Sequence, residues 1–213
     1  MNEEKSIGEV LDSIPKGFAT VEMIIVDTSS KDRTVEIARS RGAKVISEPR
    51  RGYGRAYKTG FENASGEIIV TLDGDSTYPA EKIPELVKML INEELDFITC
   101  DRISMLNEGT MNFQHRVGNA ILTLTSNILF GIRIRDSQSG MWIFRREILK
   151  KLKLTSDGMP YSEEIKIEAF CRGFSVREVP VEYRARKGEV KLNTWKDGTR
   201  NLFFIVLKRL SSV

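Results

Sequence analysis

The stretch Gly66–Pro79, GEIIVTLDGDSTYP, decides the fold, because an apolar, β-branched run leads directly into two aspartates. A run of this kind is typical of a buried strand. Alternate residues of an extended segment point to the same side, so the carboxylates of Asp73 and Asp75 are expected to converge. Two unpaired carboxylates so close together repel each other, and removing them from water costs free energy. The stretch therefore predicts a ligand that offsets the repulsion.

A divalent cation is the ligand that this spacing favours. Mg²⁺ and Mn²⁺ bind carboxylates and complete their coordination with water or phosphate oxygens, and Gly74 lets the backbone approach such a ligand closely. Two alternatives stay open. Asp and Gly are also common in solvated turns. Haloacid-dehalogenase-type phosphatases also end a strand with two aspartates, although their pattern resembles D-x-D-G-T and this chain has no later Asp-Asp pair.

Outward from this stretch, the chain alternates strands and helices. The pattern predicts strands at 23–26, 43–46, 67–73, 95–100, 140–146 and 175–184, and helices at 31–42, 53–64, 80–92, 112–130, 163–172 and 197–210. Such alternation indicates an α/β fold with a mainly parallel sheet flanked by helices. Ligands of such sheets bind beyond the carboxyl ends of the strands. That rim would receive Asp27, Asp73, Asp101 and Arg102.

Length and charge set limits on the fold and its partners. At 213 residues, with 40% hydrophobic and 30% charged residues, residues 1–213 are expected to form one globular domain. The net charge of +3 is uneven, since residues 1–106 carry 14 Lys and Arg against 19 Asp and Glu, whereas residues 107–213 carry 19 against 11. A basic second half favours an anionic partner, such as a phosphate, a nucleic acid or an acidic membrane surface.

The cysteines and the hydropathy pattern indicate where the protein works. Cys100 and Cys171 have no metal-binding or disulfide spacing, so a reducing, cytoplasmic compartment fits. No stretch has the pattern of a signal peptide. The longest uncharged stretch, Val117–Ile132, contains too many polar residues and is too short to predict a membrane span.

Four blocks in order resemble family 2 glycosyltransferases of the GT-A fold, the nucleotide-diphospho-sugar transferase fold. The polyprenyl-phosphate (dolichyl-phosphate) sugar transferases are the most similar branch. The blocks are EMIIVDTSSKDRTVEIA at 22–38, RGYGRAYKTGFENASGEIIVTLDGDSTYP at 51–79, DSQSGMWIFRREIL at 136–149 and YSEEIKIEAFCRGFSVREVPVEYRARKGEVKLN at 161–193. The match covers nearly the whole chain. It implies a metal-dependent hexosyltransferase.

The resemblance implies a nucleotide side to the site. Asp27 lies where the family contacts the base and ribose, and Asp73 and Asp75 lie where it holds Mg²⁺ or Mn²⁺ and the diphosphate. Arg51 and Lys58 flank the Gly-rich segment and would help to hold the nucleotide diphosphate sugar, GDP- or UDP-linked. The alternatives are that Asp27 is a helix cap and that Arg51 and Lys58 are solvated surface charges.

The resemblance also implies an acceptor side. Arg102 and Arg116 resemble the lipid-phosphate contacts, a role that suits the planar fork of arginine. Arg186 and Lys191 resemble a loop that closes over both phosphates, with a solvated charged loop as the alternative. The segment that shapes the acceptor pocket contributes Asp136, Gln138 and Ser139.

Catalytic roles would fall to Asp75, Arg186 and Glu164, which matches the position of a catalytic carboxylate in many relatives. A hydroxyl acceptor needs a general base, whereas a phosphate acceptor is already anionic and needs positioning and charge neutralisation. With a phosphate acceptor, Glu164 would orient its neighbours. The alternative for Glu164 is a plain acid at a helix N-terminus.

The function implied is inverting transfer of a sugar to a polyprenyl (dolichyl) phosphate at the cytosolic face of a membrane, with no nucleic acid partner. A hydroxyl (saccharide) acceptor and a catalytically silent nucleotide-binding remnant are the alternatives. The segment NLFFIVLKRL at 201–210 suits a helix lying on a membrane as a peripheral contact, or one packed on the sheet. Relatives carry a central first strand before a segment like Asn2–Glu4, so the domain is expected to be truncated at its N-terminus, with that strand missing.

Overall fold

The structure, a computed structural model, describes residues 1–107, 109–188 and 194–211, the last range without the side chains of residues 194–196. Helices and strands alternate along the described chain, as the sequence predicts. The helices are α1 Ile7–Ser13, α2 Thr34–Ser40, α3 Tyr53–Asn63, α4 Ile83–Asn92, α5 Phe113–Phe130, α6 Tyr161–Cys171 and α7 Thr194–Ser211. The strands are β1 Ile24–Asp27, β2 Lys44–Ser47, β3 Ile68–Val70, β4 Phe97–Asp101, β5 Trp142–Arg145 and β6 Val176–Pro180.

The described strands form two sheets. β1 and β2 make a parallel pair, and the other four strands form a sheet in the order β3-β5-β4-β6. Within the described residues β1 pairs only with β2, and β3 pairs only with β5, so each of these strands has one edge without a neighbouring strand.

The direction of β5 differs from a purely parallel arrangement. β4 and β6 are parallel, whereas β5 lies antiparallel to both β3 and β4. The reason is the route of the chain before β5. Residues 131–141 return from the end of α5 to the rim where β3 and β4 end, so β5 starts at that rim and runs away from it. The reversal places the segment 136–140 beside the acidic turn that follows β3.

The four-stranded sheet buries both of its faces. Successive side chains of a strand point to opposite faces, so Ile98 and Ile143 pack with α4 on one side, in a cluster with Leu86. Phe97 and Phe144 point the other way and pack with helices α3 and α6. These two layers hold the rim of the sheet in place.

Two signals in the sequence fix the ends of α5. The side chain of Asn112 accepts a hydrogen bond from the backbone N–H of Gln114 at the start of the helix, and Gly131 ends it with a left-handed backbone conformation at φ 66°. No helix within the described ranges is both long enough and apolar enough to cross a bilayer.

Candidate active site

The turn after β3 presents both aspartates at the rim of the sheet. Asp75 is buried, and its Oδ1 accepts hydrogen bonds from the backbone N–H of Thr77 at 3.2 Å and from the Thr77 hydroxyl at 2.7 Å. The hydroxyl of Ser6 donates to the carbonyl oxygen of Gly74 at 2.7 Å and ties α1 to the turn. These bonds hold the turn in place, and none of them uses the Oδ2 atom of Asp75.

The acidic turn meets the segment 136–140. The Thr71 hydroxyl donates to the Gly140 carbonyl at 2.7 Å, and the backbone N–H of Gly140 donates to the Tyr78 hydroxyl at 2.7 Å. A Cβ atom on Gly140 would lie 2.6 Å from the hydroxyl of Tyr53 and 3.3 Å from Oδ1 of Asp73. Only glycine therefore allows this approach, which joins two blocks that lie far apart in the sequence.

The electrostatics of the aspartate pair favour a cation. Burial and the neighbouring charge of Asp75 raise the pKa of Asp73 to about 6, although Arg102 and Arg186 act in the opposite direction. The two arginines therefore leave the repulsion only partly offset. A hard divalent cation would offset it further.

The donor set at the turn fits such a cation when a substrate is present. Within the described ranges, no group of three or more His, Cys, Asp or Glu side chains is arranged to hold a metal ion. Asp73 and Asp75 therefore offer two carboxylates, and a cation bound there would take its remaining ligands from water and a diphosphate. This division between protein and substrate is usual for Mg²⁺.

Arg186 lies at the aspartate pair. Its Nη1 donates to Oδ2 of Asp75 at 2.7 Å, and its Nη2 donates to Oε1 of Glu3 at 2.7 Å. The backbone N–H of Lys187 donates to the Asp75 carbonyl at 3.1 Å, so this segment lies along the turn. The structure thus brings Arg186 to the predicted site. Lys191, predicted in the same loop, lies outside the described residues.

Arg102 and Asp136 form a buried, two-pronged ion pair. Nε of Arg102 lies 2.7 Å from Oδ2 of Asp136, and Nη2 lies 2.9 Å from Oδ1. Burial alone would raise the pKa of Asp136, but Arg102 lowers it to about 2. Oδ1 of Asp136 also accepts from the amide of Asn119 at 3.0 Å. Both predicted acceptor residues are therefore near the rim, with much of their hydrogen-bonding capacity used on each other.

Gln138 and Ser139 are held by the helices behind the rim. The Gln138 amide donates to Oε1 of Glu163 in α6, and its Oε1 accepts from Asn201 in α7 at 3.1 Å. The hydroxyl of Ser139 lies 3.4 Å from that of Tyr78. These contacts position the segment, while access to an acceptor stays a prediction for both residues.

A buried lysine that the sequence analysis missed supports the same segment. Nζ of Lys166 donates to the carbonyl oxygens of Asp136, Ser137 and Ser139 at 3.0, 2.8 and 2.9 Å. Burial lowers its pKa to about 8, against the opposing effect of Asp136. The sequence gives no signal for this role, because KIEAF reads as an ordinary helix and the three carbonyls belong to another part of the chain.

The predicted nucleotide residues lie in different surroundings. Asp27 ends β1, is buried, and accepts from the backbone N–H of Ser30 at 2.9 Å. This bond lies in the loop before α2, which begins at Thr34 with Arg33 at the N-cap position, so Asp27 is not the helix cap given as the alternative. Lys58 donates to Asp157 at 2.8 Å and to the Thr155 carbonyl at 3.1 Å. Arg51 is exposed. These contacts do not bring Arg51 or Lys58 to the aspartate pair, so the nucleotide-binding roles of both residues stay predictions.

A second missed residue lies beside Asp27. Glu48 is buried, and its backbone N–H donates to the Asp27 carbonyl at 2.9 Å. Its carboxylate accepts from Arg50, Arg55 and the Thr59 hydroxyl, and these bonds lower its pKa. These bonds keep the Glu48 carboxylate ionised and connect the loop between β2 and α3 to helix α3.

Glu164 and Arg116 occupy opposite environments. The Glu164 carboxylate is fully buried and accepts from the backbone N–H groups of Thr155 and Ser156 at 2.9 Å each and from Lys208 at 3.1 Å. These bonds tie together α6, α7 and the preceding loop. Arg116 lies exposed on the first turn of α5. The catalytic role of Glu164 and the lipid-phosphate role of Arg116 remain predictions.

Residues 1–153 match the family described as Glycosyl transferase family 2. The chain is 39% identical over 200 residues to a dolichyl-phosphate hexose transferase of Haloferax volcanii, covering 92% of this chain and 85% of that protein. It is 32% identical over 212 residues to the low-salt glycan biosynthesis hexosyltransferase Agl6 of the same organism, covering 97% of this chain. It spans 51% of the length of that second relative.

A solved structure is also similar. It is glucosyl-3-phosphoglycerate synthase from Mycobacterium tuberculosis in complex with Mn²⁺, uridine diphosphate and glucosyl-3-phosphoglycerate. The two chains superpose with a TM-score of 0.76 at 26% identity, over 98% of this chain and 76% of that one. The same enzyme in complex with phosphoglyceric acid superposes with a TM-score of 0.79 at 24% identity, over 98% and 76% of the two chains.

Proposed function

The chain belongs to glycosyl transferase family 2 and has the GT-A fold, and from this premise we propose that it transfers a hexose from a nucleotide diphosphate sugar to a polyprenyl phosphate. The observation that carries the proposal is the rim at which Asp73 approaches Gly140, with the neighbouring Asp75 and the guanidinium groups of Arg102 and Arg186 close by. Two carboxylates for a cation and two arginines for phosphates suit a reaction between two phosphate-bearing substrates.

The donor binds at the acidic turn. Asp73 and Asp75 would hold Mg²⁺ or Mn²⁺, which would supply positive charge to offset that of the departing nucleoside diphosphate. The similar solved enzyme is in complex with Mn²⁺ and uridine diphosphate, which supports a uridine-linked donor over a guanosine-linked one. Arg186 leaves Asp75 and contacts the diphosphate.

The acceptor is a polyprenyl phosphate at the cytosolic face of a membrane. A phosphate oxygen is already anionic, so displacement at the anomeric carbon needs positioning and charge neutralisation rather than a general base. The engagement of Glu164 with three donors other than substrate supports this choice. Attack from the side opposite the departing diphosphate inverts the configuration. The dolichyl-phosphate hexose transferase at 39% identity supports the same acceptor.

A hydroxyl-bearing acceptor is the second candidate. The similar solved enzyme has been crystallised with phosphoglyceric acid and with its glucosyl product. This candidate requires a base near the anomeric carbon, a role for which Glu164 would have to give up its present hydrogen bonds.

The deciding experiment offers each acceptor in turn to the purified chain with Mn²⁺ and labelled UDP- or GDP-hexose. A short-chain polyprenyl phosphate in detergent is compared with phosphoglycerate and with a saccharide. Label in the lipid fraction is expected. Label only in a hydroxyl acceptor favours the second candidate, and neither transfer nor donor hydrolysis indicates a catalytically silent domain.

Arg116→Ala tests the acceptor contact. Transfer to the lipid phosphate should be lost, while donor binding measured by calorimetry is retained. Arg39→Ala removes an exposed arginine from α2 and is the matched control. Full transfer by the Arg116 variant contradicts the assignment of this residue.

A further inference from the structure

Helix α5 has the reverse of the usual amphipathic arrangement. Three of its four buried side chains, Asn119, Thr123 and Ser126, are polar, and Leu122 is the fourth. Asn119 donates to Asp136 at 3.0 Å, and the Thr123 hydroxyl donates to that of Ser137 at 3.0 Å. A helix on the surface of a globular protein usually turns its apolar side inward. The polar inner face of α5 therefore leaves its apolar side to be explained.

The outer side of α5 is a stripe of large apolar residues. Phe113 is 75% exposed, Leu124 59% and Ile128 71%, and Val117 and Ile121 lie between them. Their spacing of three or four residues keeps them on one side of the helix. From Val117 to Ile132 the chain carries no charged residue.

Helix α7 packs beside α5 and adds a second stripe. The two helices together hold nine of the fourteen large, exposed apolar residues of the described chain, the α7 members being Phe203, Val206, Leu207 and Leu210. Apolar residues scattered singly over a surface are ordinary, but contiguous patches mark interaction sites. We name these nine residues the α5–α7 face.

The charges around the α5–α7 face are almost all of one sign. Residues 109–135 and 198–211 contain no Asp or Glu, and α7 carries one acidic residue, Asp197, in its first turn. They contain five exposed arginines, Arg116, Arg133, Arg135, Arg200 and Arg209. The sixth basic side chain, Lys208, is buried against Glu164 and Glu168.

We propose that the α5–α7 face docks the protein on an anionic lipid bilayer, with both helices lying in the plane of the interface. Apolar side chains that enter the acyl boundary, together with arginines at headgroup depth, are the pattern of interfacial helices. A second copy of the chain fits less well. A two-fold contact would bring arginine-bearing faces together, with Asp197 as the one acidic residue of the two helices to pair with them.

This face adjoins the acceptor side of the site. Asn119, in the second turn of α5, contacts Asp136, which holds Arg102 at the rim. In this respect the inference rests on the proposed function, because docking through α5 would present the rim to a phosphate at headgroup depth. The bilayer itself is the partner, and its binding can be measured without any acceptor.

Flotation with lipid vesicles that contain no polyprenyl phosphate tests the proposal. The chain should float with vesicles of phosphatidylcholine and phosphatidylglycerol, and bind more weakly to phosphatidylcholine alone or at high salt. Ile121→Asn combined with Ile128→Asn should weaken partitioning at least about tenfold. Ile91→Asn is the matched control, because Ile91 on α4 and Ile121 are both 51% exposed. Arg209→Gln should weaken partitioning about fivefold.

Three results would overturn the proposal. They are no flotation of the unmodified chain, equal flotation of the double variant, or a dimer in sedimentation velocity that Ile121→Asn dissociates without any vesicle binding. The detergent assay for transfer separates this failure from failure of the proposed function. Transfer without vesicle binding rejects only the docking face, and vesicle binding without transfer rejects only the acceptor.

Discussion

Asp75 and Arg186 are 111 residues apart in the sequence, yet Nη1 of Arg186 donates to Oδ2 of Asp75 at 2.7 Å. The same guanidinium donates to Glu3 at 2.7 Å, so it joins the acidic turn to the segment that precedes α1. Because Asp75 is also the proposed ligand of the cation, arginine and cation compete for one carboxylate. Binding of the cation to Asp75 would therefore free Arg186 to contact the diphosphate.

Arg186→Gln should separate metal binding from catalysis. Without its competitor, Mn²⁺ alone should bind about fivefold more tightly, which corresponds to the roughly 1 kcal/mol of a partly exposed ion pair. The turnover number should nevertheless fall at least about tenfold, because a cation near the departing diphosphate is lost. Calorimetry with Mn²⁺ and steady-state kinetics measure the two effects.

Arg184→Gln is the control for this experiment, since Arg184 is two residues away and pairs with Glu81 and Glu182 instead. It should leave both quantities unchanged. Unchanged Mn²⁺ affinity in the Arg186 variant would mean that the contact with Asp75 does not compete with the metal.

Gly140→Ala should damage the site through a specific collision. The new methyl group would lie 2.6 Å from the Tyr53 hydroxyl and 3.3 Å from Oδ1 of Asp73. Overpacking of this kind costs about 1–3 kcal/mol of folding free energy, and moving Asp73 should weaken metal-dependent donor binding. Urea unfolding and calorimetry with uridine diphosphate and Mn²⁺ measure the two losses.

Tyr53→Phe in the same chain provides a diagnostic rescue. Removing the hydroxyl relieves the closer collision but not the one with Asp73. The double variant should therefore regain stability while donor binding stays weak. Recovery of both together would indicate that Asp73 is not displaced.

Most elements could be predicted from the sequence because strand and helix periods are local signals, whereas the family and the GT-A fold were predicted from the resemblance of four blocks. The acidic turn could be found for the same reason, since the whole D-x-D pattern lies within one loop. The antiparallel direction of β5 could not be found. It depends on where residues 131–141 return to the sheet, and no local pattern records that route.

The partners of the site residues were the harder part. The pairing of Arg102 with Asp136 and the three carbonyls bound by Lys166 join segments from different parts of the chain. Glu164 looks like a catalytic carboxylate in the sequence, and only the surrounding donors from Thr155, Ser156 and Lys208 reveal its structural contacts. The site roles assigned by resemblance therefore stay predictions until variants are measured.

Glu164→Gln should lower stability more than it lowers the rate. An amide nitrogen cannot accept the hydrogen bonds that the carboxylate now receives, and donors left unsatisfied in a buried site cost about 1–3 kcal/mol. With a phosphate acceptor, the rate per folded molecule should change by less than about threefold. Urea unfolding and active-site-normalised kinetics give the two numbers.

Lys208→Met distinguishes the two roles of Glu164. It removes one donor to Glu164 and one to Glu168 but leaves the glutamate itself in place. A comparable loss of stability with an unchanged rate supports the structural role. A loss of about a thousandfold in rate for Glu164→Gln alone would instead identify a general base and a hydroxyl acceptor.

Glu163 should make the protein less stable as the pH rises towards neutrality and beyond. Burial raises the pKa of Glu163 from 4.5 to about 8, against the opposing effects of Gln138, Lys166 and Asn201. The unfolded chain loses this proton near its ordinary pKa, whereas the folded chain keeps it until about pH 8. Between these values the folded state binds more protons, so stability falls with a slope of up to about 1.4 kcal/mol per pH unit.

Glu163→Gln should remove this slope. The glutamine keeps an oxygen for the Gln138 amide and places a donor near the buried Oδ1 of Asn201, which accepts no hydrogen bond from the residues that the structure describes. Urea unfolding between about pH 6.5 and 7.5 measures the effect above the range of Asp73, whose pKa is raised to about 6, and below the range of Lys166, whose pKa is lowered to about 8. Glu168→Gln is the control of opposite sign, because the bonds from Lys208 and Arg172 lower the pKa of Glu168 despite its burial. The Glu168 carboxylate stabilises the fold above its ordinary pKa of 4.5 and loses this contribution only as the pH falls below that value, so Glu168→Gln should leave the slope between about pH 6.5 and 7.5 unchanged. A Glu163 variant with the same pH dependence as the unmodified chain would show that Glu163 is already ionised in the folded protein.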